Sequence, residues 1–296
     1  VNFQIFVFLL FDQPLHADCM IFIVVIETGI LLLIILAFAM SNGGIVLYAL
    51  TLFISLVGFS ELVKATNVRK EEKKPSGIEI VGYLGIVAYY IVRYLTDSDT
   101  YALLAIILTI MGMMLVYVLT FPKYHAQQVM SAGFSFLYCP VLLSYIYMTR
   151  NLTQGIFLVW LIFSASWGCD TCAYAVGKLL GKHKLAPVLS PKKSIEGAVG
   201  GVAGAALIGF LYAWGLQKAG VTAISDDAIW AFPLISGVGA VLSQLGDLAA
   251  SGIKRDHNIK DYGRLIPGHG GIMDRFDSVI VTAPLIYYLC IILLEL

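Results

Sequence analysis

Long apolar runs alternate with short polar connections along nearly the whole chain. Nine runs stand out, at about 19–40, 43–60, 78–96, 101–121, 128–148, 154–177, 197–216, 228–252 and 277–295. Each approaches the ~20 residues a helix needs to cross a hydrocarbon core of about 30 Å. The runs are continuous rather than alternating, so helices are expected and a barrel is not. Gly43–Gly44, Pro75–Gly77, Pro122 and Gly155 punctuate the connections. The expected fold is all-α: a polytopic integral membrane protein of about nine transmembrane helices. Helices 1–5 fall within 19–150 and helices 6–9 within 151–296. Residues 1–18 form an unassigned N-terminal segment. Its "VNFQIFVFLLF" is too short to span and has no basic leader, so no signal peptide is expected. No internal repeat is visible, which argues against a transporter built from inverted halves.

Composition supports a lipid environment. Hydrophobic residues make up 59% of the 296, charged residues 13%, and mean hydropathy is +0.86. A soluble domain averages roughly 45–50% apolar and about 25% charged. The lipid bilayer is therefore a partner, and a net charge of zero gives no reason to expect nucleic acid. The basic residues are unevenly placed. Sixteen of the 19 Lys and Arg lie in the connections after runs 2, 4, 6 and 8; Arg93, Arg150 and Lys218 lie toward the other side. The positive-inside rule then assigns the even-numbered connections to the cytoplasm. Of five cysteines only Cys169 and Cys172 form a C-x-x-C pair, which is read as helix packing rather than a zinc or redox site.

An acidic side chain at the bilayer centre costs about 2.5–3.5 kcal/mol or more. Glu61 and Glu79 fall at run ends, where the cost is small, and are read as boundary charges; Glu27 is unassigned. Asp170 and Asp247 lead into two basic segments, 178–196 and 253–276. Asp247 and Ser251, four apart, share a helix face. Asp274 and Asp277, three apart, stand at the start of the ninth run, where they would favour a helix N-terminus even without another role. Together these carboxylates form a hard oxygen donor set suited to Mg²⁺. Gly268, Gly270 and Gly271 around His269 let backbone N–H groups approach a phosphate. Lys254, Arg255, Lys260, Arg264 and Arg275, with Lys192 and Lys193 of "LSPKKSIEG", supply counter-charge for a polyphosphate. The combination points to phosphoryl or nucleotidyl transfer, where catalysis is mostly positioning and charge stabilisation.

The stretch "SGIKRDHNIKDYGRLIPGHGGIMDRFD" resembles the signature of the phosphatidate cytidylyltransferase (CDP-diacylglycerol synthase) family. Ser251, Lys254, Arg255, Lys260, Asp261, Pro267, His269, Gly270, Gly271, Asp274, Arg275 and Asp277 fill its fixed positions. The likeness extends upstream through Gly246–Asp247, "LSPKKSIEG" and "DTCAYAVGKLLGKHKLAP", covering about 160–278; before residue 160 only generic hydrophobic spans are legible. The resemblance implies transfer of CMP from CTP to phosphatidate, giving CDP-diacylglycerol and pyrophosphate. It implies catalytic roles for Asp247, Asp274, Lys254, Arg255, Lys260, Asp261, His269 and Arg275. Lys192, Lys193, Ser194, Ser251, Arg264, Gly270 and Gly271 would contact substrate phosphates. Asp247, Asp274 and Asp277 would hold Mg²⁺, with room for a second monovalent or divalent metal ion. A homodimer in a bacterial plasma membrane, with its site on the cytoplasmic side, is also implied.

Three rivals fit less well. A CDP-alcohol phosphatidyltransferase needs a D-G-x-x-A-R pattern that is absent. A CTP-dependent polyprenol kinase would release CDP instead of pyrophosphate. A transporter or channel would spread its charges through the membrane's depth, whereas the polar groups here gather toward one face.

Overall fold

A computed structural model of the protein describes residues 29–69, 74–96, 98–221, 228–265 and 270–295. Residues 1–18, Glu27, the first ten positions of the first predicted run, Pro267, Gly268 and His269 lie outside the described residues. Nine helices are present among the described residues: α1 (Gly29–Asn42), α2 (Gly44–Ala65), α3 (Gly77–Leu95), α4 (Asp99–Leu119), α5 (Ala126–Asn151), α6 (Gly155–Leu180), α7 (Ile195–Lys218), α8 (Ala228–Asp256) and α9 (Met273–Leu294). Helices α2–α9 are long and apolar enough to span a membrane. The polytopic all-α reading therefore holds.

Local chemistry sets the helix boundaries. Gly43 and Gly44 both take positive φ, +65° and +48°, allowing the tight break between α1 and α2. Ser76 and Glu79 form a reciprocal capping box at the start of α3. Two helices carry a π-type turn: Leu137–Val141 in α5, which accommodates Pro140, and Ser164–Gly168 in α6. Each turn rotates the residues beyond it relative to a regular helix, Asp170 among them.

The basic connection between α6 and α7 holds an unexpected antiparallel hairpin. Strands β1 (Lys184–Ala186) and β2 (Ser190–Ser194) pair Lys184 with Ser194 and Ala186 with Ser190. The hairpin feeds directly into α7, whose N-cap is Ser194.

One buried cluster joins α2–α5 through Phe59, Tyr89, Tyr90, Met113 and Phe136. A second runs through α1, α2 and α5–α9, with Met40, Leu62, Leu143, Ile162, Ala213, Ile235, Met273 and Ile280 among its members. Helix α9 is thus packed into the centre, while α4 and α7 present most of their apolar side chains outward, as lipid-facing helices do.

The even-numbered connections meet at one end of the bundle. There Gln128 Nε2 donates to Val68 O (3.1 Å), and Gly77 N donates to Tyr124 Oη (2.9 Å). Glu61 of α2 reaches the start of α9 at the same end. At the opposite end Arg150 donates to Met40 O (2.7 Å), and Arg93 pairs with Asp99 (2.7 Å).

Candidate active site

The site begins where α8 and α9 come closest. A Cβ on Gly246 would lie 3.0 Å from the Asp277 carbonyl oxygen, so glycine there permits the approach that brings the next residue, Asp247, to α9. Asp247 pairs through Oδ2 with Lys193 Nζ, and Ser251, one turn on, donates to Oδ1 at 3.5 Å. Lys193 comes from β2, so the hairpin carries a cation to a carboxylate on a spanning helix. Asp170, on α6 beyond the π-type turn, accepts a long contact from Ser278 Oγ (3.5 Å). Asp170, Lys192, Lys193, Ser194 and Asp247 line a cavity of about 320 Å³. Its other walls, including Ala173, Tyr174, Leu185 and Ala198, are mainly apolar. An apolar lining with a few charged groups is the usual make-up of a small-molecule pocket.

The second half of the site is the N-terminus of α9. Asp274 is nearly buried; Lys254 Nζ meets its Oδ1 at 3.0 Å. Two backbone N–H groups, of Tyr262 (2.8 Å) and Gly271 (3.0 Å), donate to its Oδ2. Gly270 has φ +84°, and a Cβ there would also press on Asp274 Oδ2 at 2.9 Å, so both conformation and space require glycine. Lys254 sits over the Tyr262 ring, 5.3 Å from its centroid. Burial pushes the Tyr262 phenol well above its ordinary value, so the hydroxyl stays protonated and donates to Ala250 O (2.8 Å). Asp277 is buried one turn below Asp274 and accepts from Ser278 N (2.8 Å). Its backbone carbonyl lies against Gly246, the residue before Asp247, and so links the two halves.

The structure therefore brings together Asp247, Ser251 and Lys193, and separately Asp274, Lys254, Gly270 and Gly271, with Asp277 between them. Ser194 lines the cavity, but its hydroxyl accepts from Gly197 N (3.1 Å) as the cap of α7. Lys192 lines the same cavity. Arg255 turns away toward the hairpin, with Nε 3.5 Å from Leu189 O. Lys260, Asp261, Arg264 and Arg275 are exposed. Arg275 contributes its carbonyl, which accepts from Trp167 Nε1 at 3.2 Å.

Two participants escaped the sequence reading. Tyr262 supplies a backbone donor to Asp274, a contact with no compositional signal. Glu61 is buried and accepts from Ile272 N (3.1 Å) and Met273 N (2.8 Å). Its signal was an acid next to an apolar run.

Four carboxyl groups (Asp170, Asp247, Asp274, Asp277) face two ammonium groups (Lys193, Lys254) in this cluster. Carboxylates withdrawn from water in excess of their cations are costly unless they take up protons or further positive charge is bound. The buried Tyr138 hydroxyl has no hydrogen-bond partner among the described residues. No three His, Cys, Asp or Glu among the described residues form a ready-made metal cage. Mg²⁺ does not need one: it is commonly bound by one or two carboxylates together with substrate phosphates. The donor set fits that mode.

Fold and cluster define an integral membrane protein whose spanning helices and one hairpin hold carboxylates, lysines and a cavity together at one end. The chain belongs to the Cytidylyltransferase family, whose profile matches residues 23–293. It is similar to the phosphatidate cytidylyltransferase of Staphylococcus saprophyticus, 31% identical over 268 residues, or 89% of this chain and 97% of the relative. The Staphylococcus aureus protein of the same name is 30% identical over 271 residues, with the same coverage of both chains. That of Synechocystis is 43% identical over 150 residues, 49% of this chain and 47% of the relative.

Proposed function

We infer that this chain is a phosphatidate cytidylyltransferase, which transfers the cytidylyl group of CTP to phosphatidate and releases pyrophosphate and CDP-diacylglycerol. The observation that carries the reading is the pair of carboxylate–lysine contacts, Asp247 with Lys193 and Asp274 with Lys254. Separate segments deliver them to one end of the bundle, beside a cavity with an apolar wall. Family membership supplies the reaction class.

The chemistry needs no nucleophilic side chain. A phosphate oxygen of phosphatidate attacks the α-phosphorus of CTP in line. The new P–O bond forms as the bond to the bridging oxygen breaks, and pyrophosphate leaves with the electron pair. Mg²⁺, held by Asp247 and Asp274 with Asp277 beside them, would neutralise phosphate oxygens as charge redistributes. Lys193 and Lys254 keep their ammonium groups beside these carboxylates, ready for the triphosphate or the lipid phosphate. Lys192 adds charge at the cavity wall. Ser251 orients Asp247, while the backbone of Tyr262 and Gly271 orients Asp274. The apolar wall receives the acyl side of the lipid.

The excess of carboxyl groups suits a second cation, monovalent or divalent. The lysine-rich end is assigned to the cytoplasm, where CTP is available, and the working unit to a homodimer in a bacterial plasma membrane. The site's location is tested by labelling Lys192→Cys from either side of sealed vesicles.

CTP labelled at its α-phosphate tests the reaction. With phosphatidate vesicles and Mg²⁺, purified protein is expected to place the label in the lipid and release unlabelled pyrophosphate. Release of labelled CDP, with label from γ-phosphate entering a lipid alcohol, would instead make the protein a kinase.

A further inference from the structure

Helix α9 carries two of the site's aspartates, and something must fix where it begins. The first N–H groups of any helix lack intrahelical acceptors, and a carboxylate among them is favoured by both hydrogen bonding and the helix dipole. Here the carboxylate comes from α2, 211 residues away in sequence. Glu61 Oε1 accepts from Ile272 N at 3.1 Å, and Oε2 from Met273 N at 2.8 Å. Asp274 is the next residue. Glu61 is only 5% exposed, so its charge is stripped of water and depends on these two donors. The surrounding chain is shaped to it: a Cβ on Gly263 or on Gly271 would overlap its carboxylate. Gly271 N in turn donates to Asp274 Oδ2 at 3.0 Å, so one residue touches both acids.

We propose that Glu61 is a positioning residue for the site. Its carboxylate clamps the start of α9 and packs against the backbone at Gly263 and Gly271, and thereby holds Asp274 in the orientation that receives the metal. Glu61 touches neither substrate nor metal in this account. The inference rests on the metal reading above for its consequence, but the clamp itself stands on the hydrogen bonds. Glutamine is the sharpest substitution. It keeps the shape, yet its amide offers one acceptor and turns an NH₂ group toward the other backbone N–H, leaving donor against donor.

The experiment compares purified full-length wild type with Glu61→Gln, Gly271→Ala, their double variant, and Glu79→Gln. Glu79 is the control: an equally buried acid in the same half, satisfied by Arg69 rather than by the signature segment. Mn²⁺ binding is followed by the loss of its free resonance signal, thermal unfolding by intrinsic fluorescence, and tryptic cleavage at the exposed Lys260 and Arg264 by fragment analysis. Glu61→Gln is expected to weaken Mn²⁺ binding about 10-fold, in the range for residues that orient a metal ligand, and to speed cleavage. Gly271→Ala should do the same, and the double variant should be no worse than the poorer single one, because both act through one clamp. Glu79→Gln should lower the unfolding temperature without changing Mn²⁺ affinity. Unchanged Mn²⁺ affinity in Glu61→Gln, with only a lower unfolding temperature, would overturn the proposal. If wild type bound no Mn²⁺, the metal reading would fall instead; cleavage would then decide the clamp, and wild-type cleavage rates in Glu61→Gln would refute it.

Discussion

In α2–α5 the buried Glu79 is satisfied locally: Arg69 pairs with it, Tyr83 donates to it at 3.0 Å, and it completes the capping box of its own helix. In α6–α9 the acids Asp170, Asp247, Asp274 and Asp277 converge from three helices, and two lysines face all four. Both regions bury carboxylates among apolar helices, and the difference lies in how completely the protein itself neutralises them. A carboxylate closed on its own partner stabilises a fold. An excess of carboxyl groups around a cavity leaves acceptors that a proton or a cation can neutralise. Glu61 stands between these cases: it belongs to the first region and is satisfied by the backbone of the second.

That contrast can be broken most forcefully at Asp247. Asp247→Asn should lower pyrophosphate release by about 10²–10³-fold, as expected when a group stabilising transition-state charge is lost. The measurement is initial rate at saturating Mg²⁺, with elution volume checking the fold. Lys193→Met leaves Asp247 without its cation and takes one from the phosphates. A loss of about 10–100-fold is expected, and KM for CTP should separate binding from turnover. Glu79→Gln sharpens the comparison from the other side. Breaking a buried pair costs about 3–5 kcal/mol, so the unfolding midpoint should fall clearly while turnover per folded molecule is retained. Arg93→Ala, at the far end of the bundle, should do least. The pair with exposed Asp99 contributes about 0–1 kcal/mol, but the Arg93 side chain itself packs on Tyr89, so activity should stay close to wild type while the unfolding midpoint falls slightly.

Much of this arrangement was legible in the sequence. The spans follow from length and hydropathy alone, and the signature segment announced its carboxylates and cations. The boundaries were misplaced where they mattered most. Hydropathy ends the second run near residue 60, just before Glu61, yet α2 continues to Ala65 with Glu61 buried inside it. Hydropathy alone starts the ninth run near 277, with Asp274 at its edge, and α9 starts at Met273. Hydropathy treats a charge as the end of a span, whereas a helix continues through a charge whose partners are supplied by another segment. Those partners are distant in sequence and partly backbone, so they leave no pattern. The hairpin was missed because its strands are three and five residues long and rich in lysine, with no alternation to mark them. The π-type turn before Asp170 is likewise invisible to a helical period.

The central claim is that the aspartates gathered by α8 and α9 serve cytidylyl transfer, and Asp274→Asn tests it most directly. Wild type and variant are compared for phosphatidate-dependent pyrophosphate release from CTP at equal protein and Mg²⁺ concentrations. The expected result is steady release by wild type and loss of about 10²-fold or more in a variant that still elutes as folded protein. Release by Asp274→Asn at the wild-type rate would contradict the assignment of this cluster as the catalytic centre.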